Sequence, residues 1–553
     1  MKIRKPVFLL PAICAATAVT AAERPNIMII MTDDSGYSDI GCYGGEIDTP
    51  NIDALARNGM RFRNFYNNGR CSPTRASLMT GRDSAIAGFG AGTLGGWKRE
   101  INMPAYRARL SADLPTIAEV LKTSGYQTMM VGKWHLGGSL MKEDPAEQTM
   151  WKRMHPSWEL TRAEIEADFN ALPPQRGFDR FFGMIEGETD FFFLPGDKQD
   201  YHDGNQPASL AFNKTYTIET AEFRKKAKPF VHQGKTTEAF YDTDGVTDRA
   251  VEMLRQSGKD APFFMYVAYR APHLPLQAPK ELVDKYRPRY ADLKKVEADR
   301  VSGLVREKLF PEGAEHLACK QMPDPNALAV HAAMMEKVDE NVGKIVQALK
   351  ASGRFDNTLI FYLSDNGAAS QSGHLFNKPY TGVKALMWEG GTKTACIAHW
   401  PAKIKPGSIT DALGWVGDFL PTALALAGGT YPAEFNGKKT APLDGRNILP
   451  ALLGQEMPPP EYLFSNDRGQ QGVIYQGRWK LLIEPGWYEQ TRAEPGIAYE
   501  LYDLQSDPAE TKNLADQNPE KVKQLAEACD AWQKRCGIMD YGEVLKINVN
   551  NGN

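Results

Sequence analysis

Two pairs of neighbouring polar side chains stand far apart in the chain, Asp33 with Asp34 at the end of "NIMIIMTDD" and Asp365 with Asn366 in "LIFYLSDNG". They offer only hard oxygen ligands, the set that suits Ca²⁺ or Mg²⁺ and disfavours zinc or copper. Strand-end Asp and Asn also cap turns, but two such pairs brought to one sheet edge favour a metal. Lys133 and His135 in "GKWHLGG" and His273 in "APHLPLQAP" follow the same kind of apolar run, and Lys384 in "TGVKALMWEGG" joins them at that edge if it lies on the loop that follows the Asp365 strand. Cations gathered beside a divalent ion imply an anionic substrate, since they would otherwise repel one another. The other seven histidines lack this context and read as hydrogen-bonded structural residues.

Cys71 opens "CSPTRASLMTG", in which Ser72 or Cys71 caps a short helix, Pro73 occupies its first turn and Gly81 ends it. A thiol at a helix start sits where the dipole favours anions, so a nucleophilic thiolate is one reading. A buried structural cysteine is the other. Removing a signal segment would leave six cysteines, 42, 71, 319, 396, 529 and 536, with none of the spacing of a zinc site. Cys529 and Cys536 share a helical pattern, where seven residues rise roughly 10 Å, too far for a bridge.

To meet, these side chains need strands that end at one edge. "NIMIIMTDD", "YQTMMVGKWHLG", "PFFMYVAYRAPH" and "LIFYLSDNG" are short apolar runs alternating with helical patterns, and each delivers polar groups at its carboxyl end. That is the signature of an α/β fold: a large, mostly parallel sheet sandwiched by helices, with its ligand crevice beyond the carboxyl ends of the strands. "TPNIDALARNG" offers Thr49 as N-cap, Pro50 at the first position, a buried face of Ile52, Leu55 and Ala56, and Gly59 as a stop. Residues 141–240, rich in aromatics, and 280–325, charged and helical, read as insertions over the site. The stretch "FDRFFGMIEGETDFFFLPG" either stacks on a sugar or aryl ring or packs on the sheet. From 455 onward the pattern alternates like antiparallel strands and closes on a helix, predicting a smaller C-terminal α+β domain at 455–553 after a main domain at 23–454.

Residues 1–22 carry Lys2, Arg4 and Lys5, then an apolar run, then small residues, the layout of a cleaved signal peptide. The chain is therefore expected to be exported, to a periplasm or out of the cell, and no later run is apolar enough for a membrane span. Net charge is −3, and −6 without the three signal cations. A mildly acidic chain does not fit nucleic-acid binding, which rests on clustered Lys and Arg.

"CSPTRASLMTG" resembles the C-x-P-x-R signature of the type I, formylglycine-dependent sulfatases, arylsulfatase-like members of the alkaline phosphatase superfamily. The resemblance continues through "RPNIMIIMTDDSGYSDIGCYGG", "GKWHLGG", "APHLPLQAP", "LSDNG", "GVKALMWEGG" and "YELYDLQSDPAETKNLA", nearly the whole chain. It implies an alkaline phosphatase-like fold and conversion of Cys71 to formylglycine by a generating enzyme that reads Pro73 and Arg75. It also implies Ca²⁺, in preference to Mg²⁺, on Asp33, Asp34, Asp365, Asn366 and residue 71. Arg75 and Lys133 would orient the aldehyde hydrate, His135 would assist elimination, and His273, Lys384 and Lys133 would hold the substrate's sulfate. One hydroxyl of the hydrate would attack sulfur and the other would release sulfate. The implied substrate is a sulfated small molecule or glycan. The alternatives are a phosphomonoester or phosphodiester hydrolase of the same superfamily and a non-catalytic sulfatase-like binding protein.

Overall fold

The computed structural model describes residues 24–90, 104–138, 162–186, 189–197, 201–221, 232–319, 322–369, 374–467, 469–484 and 499–539. The signal segment at 1–22 and parts of the 141–240 insertion lie outside them. The strands that concern the site are β1 (Asn26–Thr32), β2 (Met60–Phe62), β3 (Gln127–Lys133), β4 (Arg180–Met184), β5 (Tyr201–Asp203), β6 (Gln206–Pro207) and β7 (Phe263–Ala268). They continue with β8 (Thr358–Ser364), β9 (Cys396–His399), β10 (Ser408–Thr410), β11 (Tyr462–Asp467), β12 (Gln470–Tyr475), β13 (Trp479–Ile483) and β14 (Tyr499–Asp503).

The first ten form one sheet in the order β10-β2-β9-β8-β1-β7-β3-β4-β5-β6. Its centre, β8 through β4, is parallel. The flanks run antiparallel except for β10 on β2, so the sheet is mixed around a parallel heart. Buried on both faces, the central strands are continuous apolar runs, as a helix-covered parallel sheet requires. Successive side chains of β1 alternate between two cores. Met28 and Ile30 pack toward α3 (Asp242–Gln256) and α4 (Pro325–Ala351). Ile27, Ile29 and Met31 pack toward α2 (Cys71–Thr80) and α5 (Phe419–Ala427).

Two helix starts differ from their sequence reading. The helix α1 (Pro50–Arg57) buries Ile52, Leu55 and Ala56 as expected, but Thr49 does not cap it. Its hydroxyl donates to Asp53 and accepts from the Gly41 N–H, which uses the oxygen that a cap would need. In α2, Cys71 is the first helical residue, so the cap position falls to Arg70 and not to Cys71 or Ser72; Gly81 ends the helix at φ 64°.

The insertion's aromatic run resolves toward packing. Phe191, Phe192 and Phe193 are buried against Tyr201, Tyr216, Phe240 and Tyr241, within a second sheet built from Phe192–Phe193, Lys214–Ala221, Thr236–Tyr241 and Leu276–Pro279. Residues 280–325 supply the helices Lys280–Tyr286 and Leu293–Arg306. Strands β11 to β14 form an antiparallel meander, packed against α6 (Pro519–Cys536) through Val473, Leu481, Leu501 and Leu525. Trp532 of α6 stacks on Phe464 and donates its indole N–H to Asp83, tying this sheet to the main body. The six described cysteines are free thiols, Cys529 and Cys536 among them.

Leu363 is fully buried near the end of β8, between β1 and β9. Leu363→Ala is expected to cost about 2–5 kcal/mol of stability, read as a lower midpoint in urea unfolding.

Candidate active site

The carboxyl ends of the central strands converge. Asp33 and Asp34 follow β1, Asp365 and Asn366 follow β8, Lys133 closes β3 with His135 two residues on, and His273 lies five residues past β7. Asp34 and His135 take positive φ of 70° and 60°, which turns each side chain as the backbone leaves its strand. Helix α2 aims its first residue, Cys71, at the same edge. The Cys71 sulfur and one carboxylate oxygen each from Asp33 and Asp365 lie within 4.8 Å of one another, as do Asp33, Asp34 and His273.

Cations bind this cluster together. Arg75, one turn into α2 and fully buried, donates Nε and Nη2 to Asp365 at 3.1 and 2.8 Å and Nη2 to Asp33 at 3.3 Å. Its Nη1 donates to the Lys133 carbonyl at 3.0 Å and the Tyr266 hydroxyl oxygen at 3.1 Å. Lys133 donates to Asp33 at 2.5 Å and Lys384 to Asp34 at 2.6 Å. Asn366 donates to Asp34 at 2.7 Å, and His273 Nε2 stands 3.8 Å from Asp34. Nine of the ten residues expected from sequence thus form one contact network. The tenth, His135, is coupled to it through the charges of Lys133, Arg75 and Asp33, and its backbone N–H donates to the Ile185 carbonyl at 2.8 Å.

Burial sets the charge states. It would push Asp33 up, but Lys133, His273, Arg75 and Lys384 together hold that carboxyl well below the ordinary range. Asp365 goes the other way: burial and then the Asp33 carboxylate raise it far above its ordinary value, more than Arg75 can offset. Burial also works against the charge of Lys384, yet Asp34 raises its pKa; Lys133 is raised likewise by Asp33. Burial, reinforced by Lys133, lowers His135 to about 3. Burial outweighs the Asp34 carboxylate and lowers His273 to about 4. Both imidazoles are neutral at neutral pH.

Two carboxylates this close ionise together only with more positive charge between them. Asp33 Oδ1 and Asn366 Oδ1 are buried oxygens with no hydrogen-bond partner, hard donors of the type a divalent cation takes. The residues present fit such an ion.

Several contributors leave no trace in the sequence. Tyr266, inside β7, reaches Arg75 from the sheet. Arg270, buried with its guanidinium 3.7 Å from the centre of the Phe191 ring, donates to the carbonyls of Thr189 and Asp190 and fixes the insertion beside His273. Glu186 follows β4 and acts on His135 through its charge. The "AYRAPH" run announces Arg270 only as a polar residue after a strand.

A mixed sheet whose parallel centre gathers buried oxygens and cations around a helix-start residue at its carboxyl edge has the form of an alkaline phosphatase-like hydrolase of oxyanion esters. The sulfatase family profile matches residues 25–429, and one described as N-sulphoglucosamine sulphohydrolase, C-terminal, matches 382–534. The chain is similar to an uncharacterized sulfatase of Schizosaccharomyces pombe, at 29% identity over 94% of this chain and 95% of that one. It is similar to an arylsulfatase of Klebsiella aerogenes at 29% identity over 77% of this chain and 91% of that one. Among solved structures, Ps i-CgsB in complex with k-i-k-neocarrahexaose superposes with a TM-score of 0.65 at 24% identity, covering 95% of this chain and 98% of that one. The chain belongs to the sulfatase family and is a sulfuric ester hydrolase.

Removing Arg75 leaves the Asp33–Asp365 cluster short of one buried cation. Arg75→Met is expected to lower stability by about 3–5 kcal/mol, measured by denaturant unfolding.

Proposed function

We propose that the protein is an exported, Ca²⁺-dependent sulfatase that hydrolyses sulfate monoesters of carbohydrates or aryl alcohols, with Cys71 converted to formylglycine by a separate maturation enzyme. What carries this reading is the company of Cys71: its sulfur clusters with the carboxylate oxygens of Asp33 and Asp365. A working thiolate wants an imidazole base against it and no like charge beside it. Hard oxygens instead suit an oxygen nucleophile beside a hard cation. Export is supported by the basic, apolar and small-residue succession at 1–22. Among the described residues no helix is long and apolar enough to cross a membrane.

The hydrated aldehyde at position 71 supplies a hydroxyl for attack on sulfur and a second for sulfate release, and Ca²⁺ on Asp33, Asp34, Asp365, Asn366 and residue 71 supplies fixed positive charge. The chain's own residues do the rest. Arg75 clamps two of the ligand carboxylates and keeps their spacing. Lys133 and Lys384, kept protonated by Asp33 and Asp34, point charge at the sulfate oxygens, where charge grows in the transition state. His135, neutral, accepts a proton from position 71 during elimination. His273 and Lys384 border Asp34, and the protonated Lys384 is the one of the two that can give a proton to the leaving oxygen. Sugars belong in the substrate class on the strength of the glycan-bound Ps i-CgsB neighbour, alongside aryl esters.

The mass of the tryptic peptide 71–75 from protein made in its own host tests maturation. The expected peptide is lighter by the exchange of a thiol for an aldehyde, and an unmodified cysteine in active protein overturns the mechanism. On nitrophenyl sulfate, Cys71→Ala and Asp365→Ala are each expected to lose at least about 10³-fold in kcat. Chelation should abolish turnover, with Ca²⁺ restoring it better than Mg²⁺. The matched nitrophenyl phosphate should turn over more slowly than the sulfate; the reverse order would favour the phosphoesterase alternative.

A further inference from the structure

The C-terminal meander reaches the site. Asp467 ends β11 fully buried and accepts both Nε and Nη2 of Arg70, at 2.9 and 2.7 Å. Arg70 immediately precedes Cys71. Gln470, the first residue of β12 and also fully buried, donates to the Ala385 carbonyl at 3.2 Å. Ala385 immediately follows Lys384, adopts a positive φ of 71°, and donates its own N–H to the Gly69 carbonyl at 2.8 Å. These contacts close a ring. One side is residues 69–70, the second is residues 384–385, and the third is the paired ends of β11 and β12, Asp467 opposite Gln470.

The same sheet holds the Lys384 segment a second time, a few residues on. Lys480 of β13, buried, lies 2.8 Å from a carboxylate oxygen of Glu389 and 2.8 Å from one of Glu510. Glu510 also accepts the Glu389 backbone N–H at 2.6 Å, and Trp388 donates its indole N–H to Glu500 of β14 at 3.0 Å. Lys384 is therefore carried on a segment with anchors at Ala385, Trp388 and Glu389, all on the C-terminal sheet. Buried charge pairs make stiff anchors, because separating them leaves an uncompensated charge out of water.

The geometry points to a function for this arrangement: Asp467 and Gln470 are positioning residues that fix the separation of position 71 from Lys384, and so align the nucleophile with a cation that holds the sulfate. The inference rests on the sulfatase reading above. Neither residue belongs to the network around Asp33 and Asp34, so each acts through Arg70 or Ala385. An error of about 1 Å in such an alignment costs on the order of 10²-fold in rate.

The test uses Asp467→Asn and Gln470→Met, which keep shape and remove charge or donor, with Asp467→Glu as the conservative control. All are measured on nitrophenyl sulfate with kcat expressed per mole of aldehyde at position 71 and with Tm recorded. Each of the two removing variants is expected to lower kcat roughly 10- to 100-fold. KM should stay within about twofold, and Asp467→Glu should recover part of the loss. The double variant should lose less than the product of the two singles, because both sit on one ring. An unchanged kcat per aldehyde in both single variants overturns the proposal, as does a loss confined to Tm or to aldehyde content. If instead the wild type carries no aldehyde and cleaves no sulfate, the sulfatase mechanism itself fails, a result distinct from either.

Discussion

Charge balance at the sheet edge is the constraint on which the rest of the structure depends. Asp33, Asp34 and Asp365 are carboxyl groups placed out of water, each touched by a cation: Lys133 and Arg75 on Asp33, Lys384 on Asp34, and Arg75 on Asp365, where it does not by itself offset burial and the Asp33 charge. Those three cations come from three separate regions of the chain. The sheet order, the aim of α2 and the course of the 384–392 segment are consequences of bringing them together. A buried ion cluster contributes little net stability but penalises any arrangement that leaves one member unpaired. It therefore specifies one geometry, which is what an ester hydrolase needs at its reacting centre.

Around this centre the protein uses rigid strands to aim and loops to adjust. Asp34, His135 and Ala385 sit at positive φ where their strands or segments turn, so strain is placed beside the groups that must point inward. Gly367 shows the same crowding: a Cβ there would overlap the Gly390 carbonyl, so the backbone after Asn366 lies directly on the short helix Glu389–Thr392 of the Lys384 segment. The Asn366 side and the Lys384 side of the site thus share one backbone contact.

Much of this is legible in the sequence because it is local. Continuous apolar runs ending in Asp-Asp, Lys-x-His or Asp-Asn report both a buried strand and what its end delivers, and Asp33, Asp34, Lys133, His273, Asp365 and Asn366 meet at that edge. The C-terminal alternation announces the meander equally well. What escapes is whatever depends on distant partners. Thr49 looks like a cap until Asp53 and Gly41 take up its hydroxyl. Three consecutive phenylalanines resemble a ring-binding platform until Tyr201, Tyr216, Phe240 and Tyr241 are folded over them. Arg70 and Asp467 are 397 residues apart and share no period, so only the folded chain pairs them.

That separation also has a meaning in time. A ribosome adding about 5–20 residues per second needs roughly 20–80 s to travel from Arg70 to Asp467. Throughout that interval the strand that will brace the segment bearing Cys71 does not yet exist. If position 71 is altered by a separate enzyme, as proposed above, the order of synthesis leaves it within reach before the chain is complete and the folded protein holds it at 5% exposure.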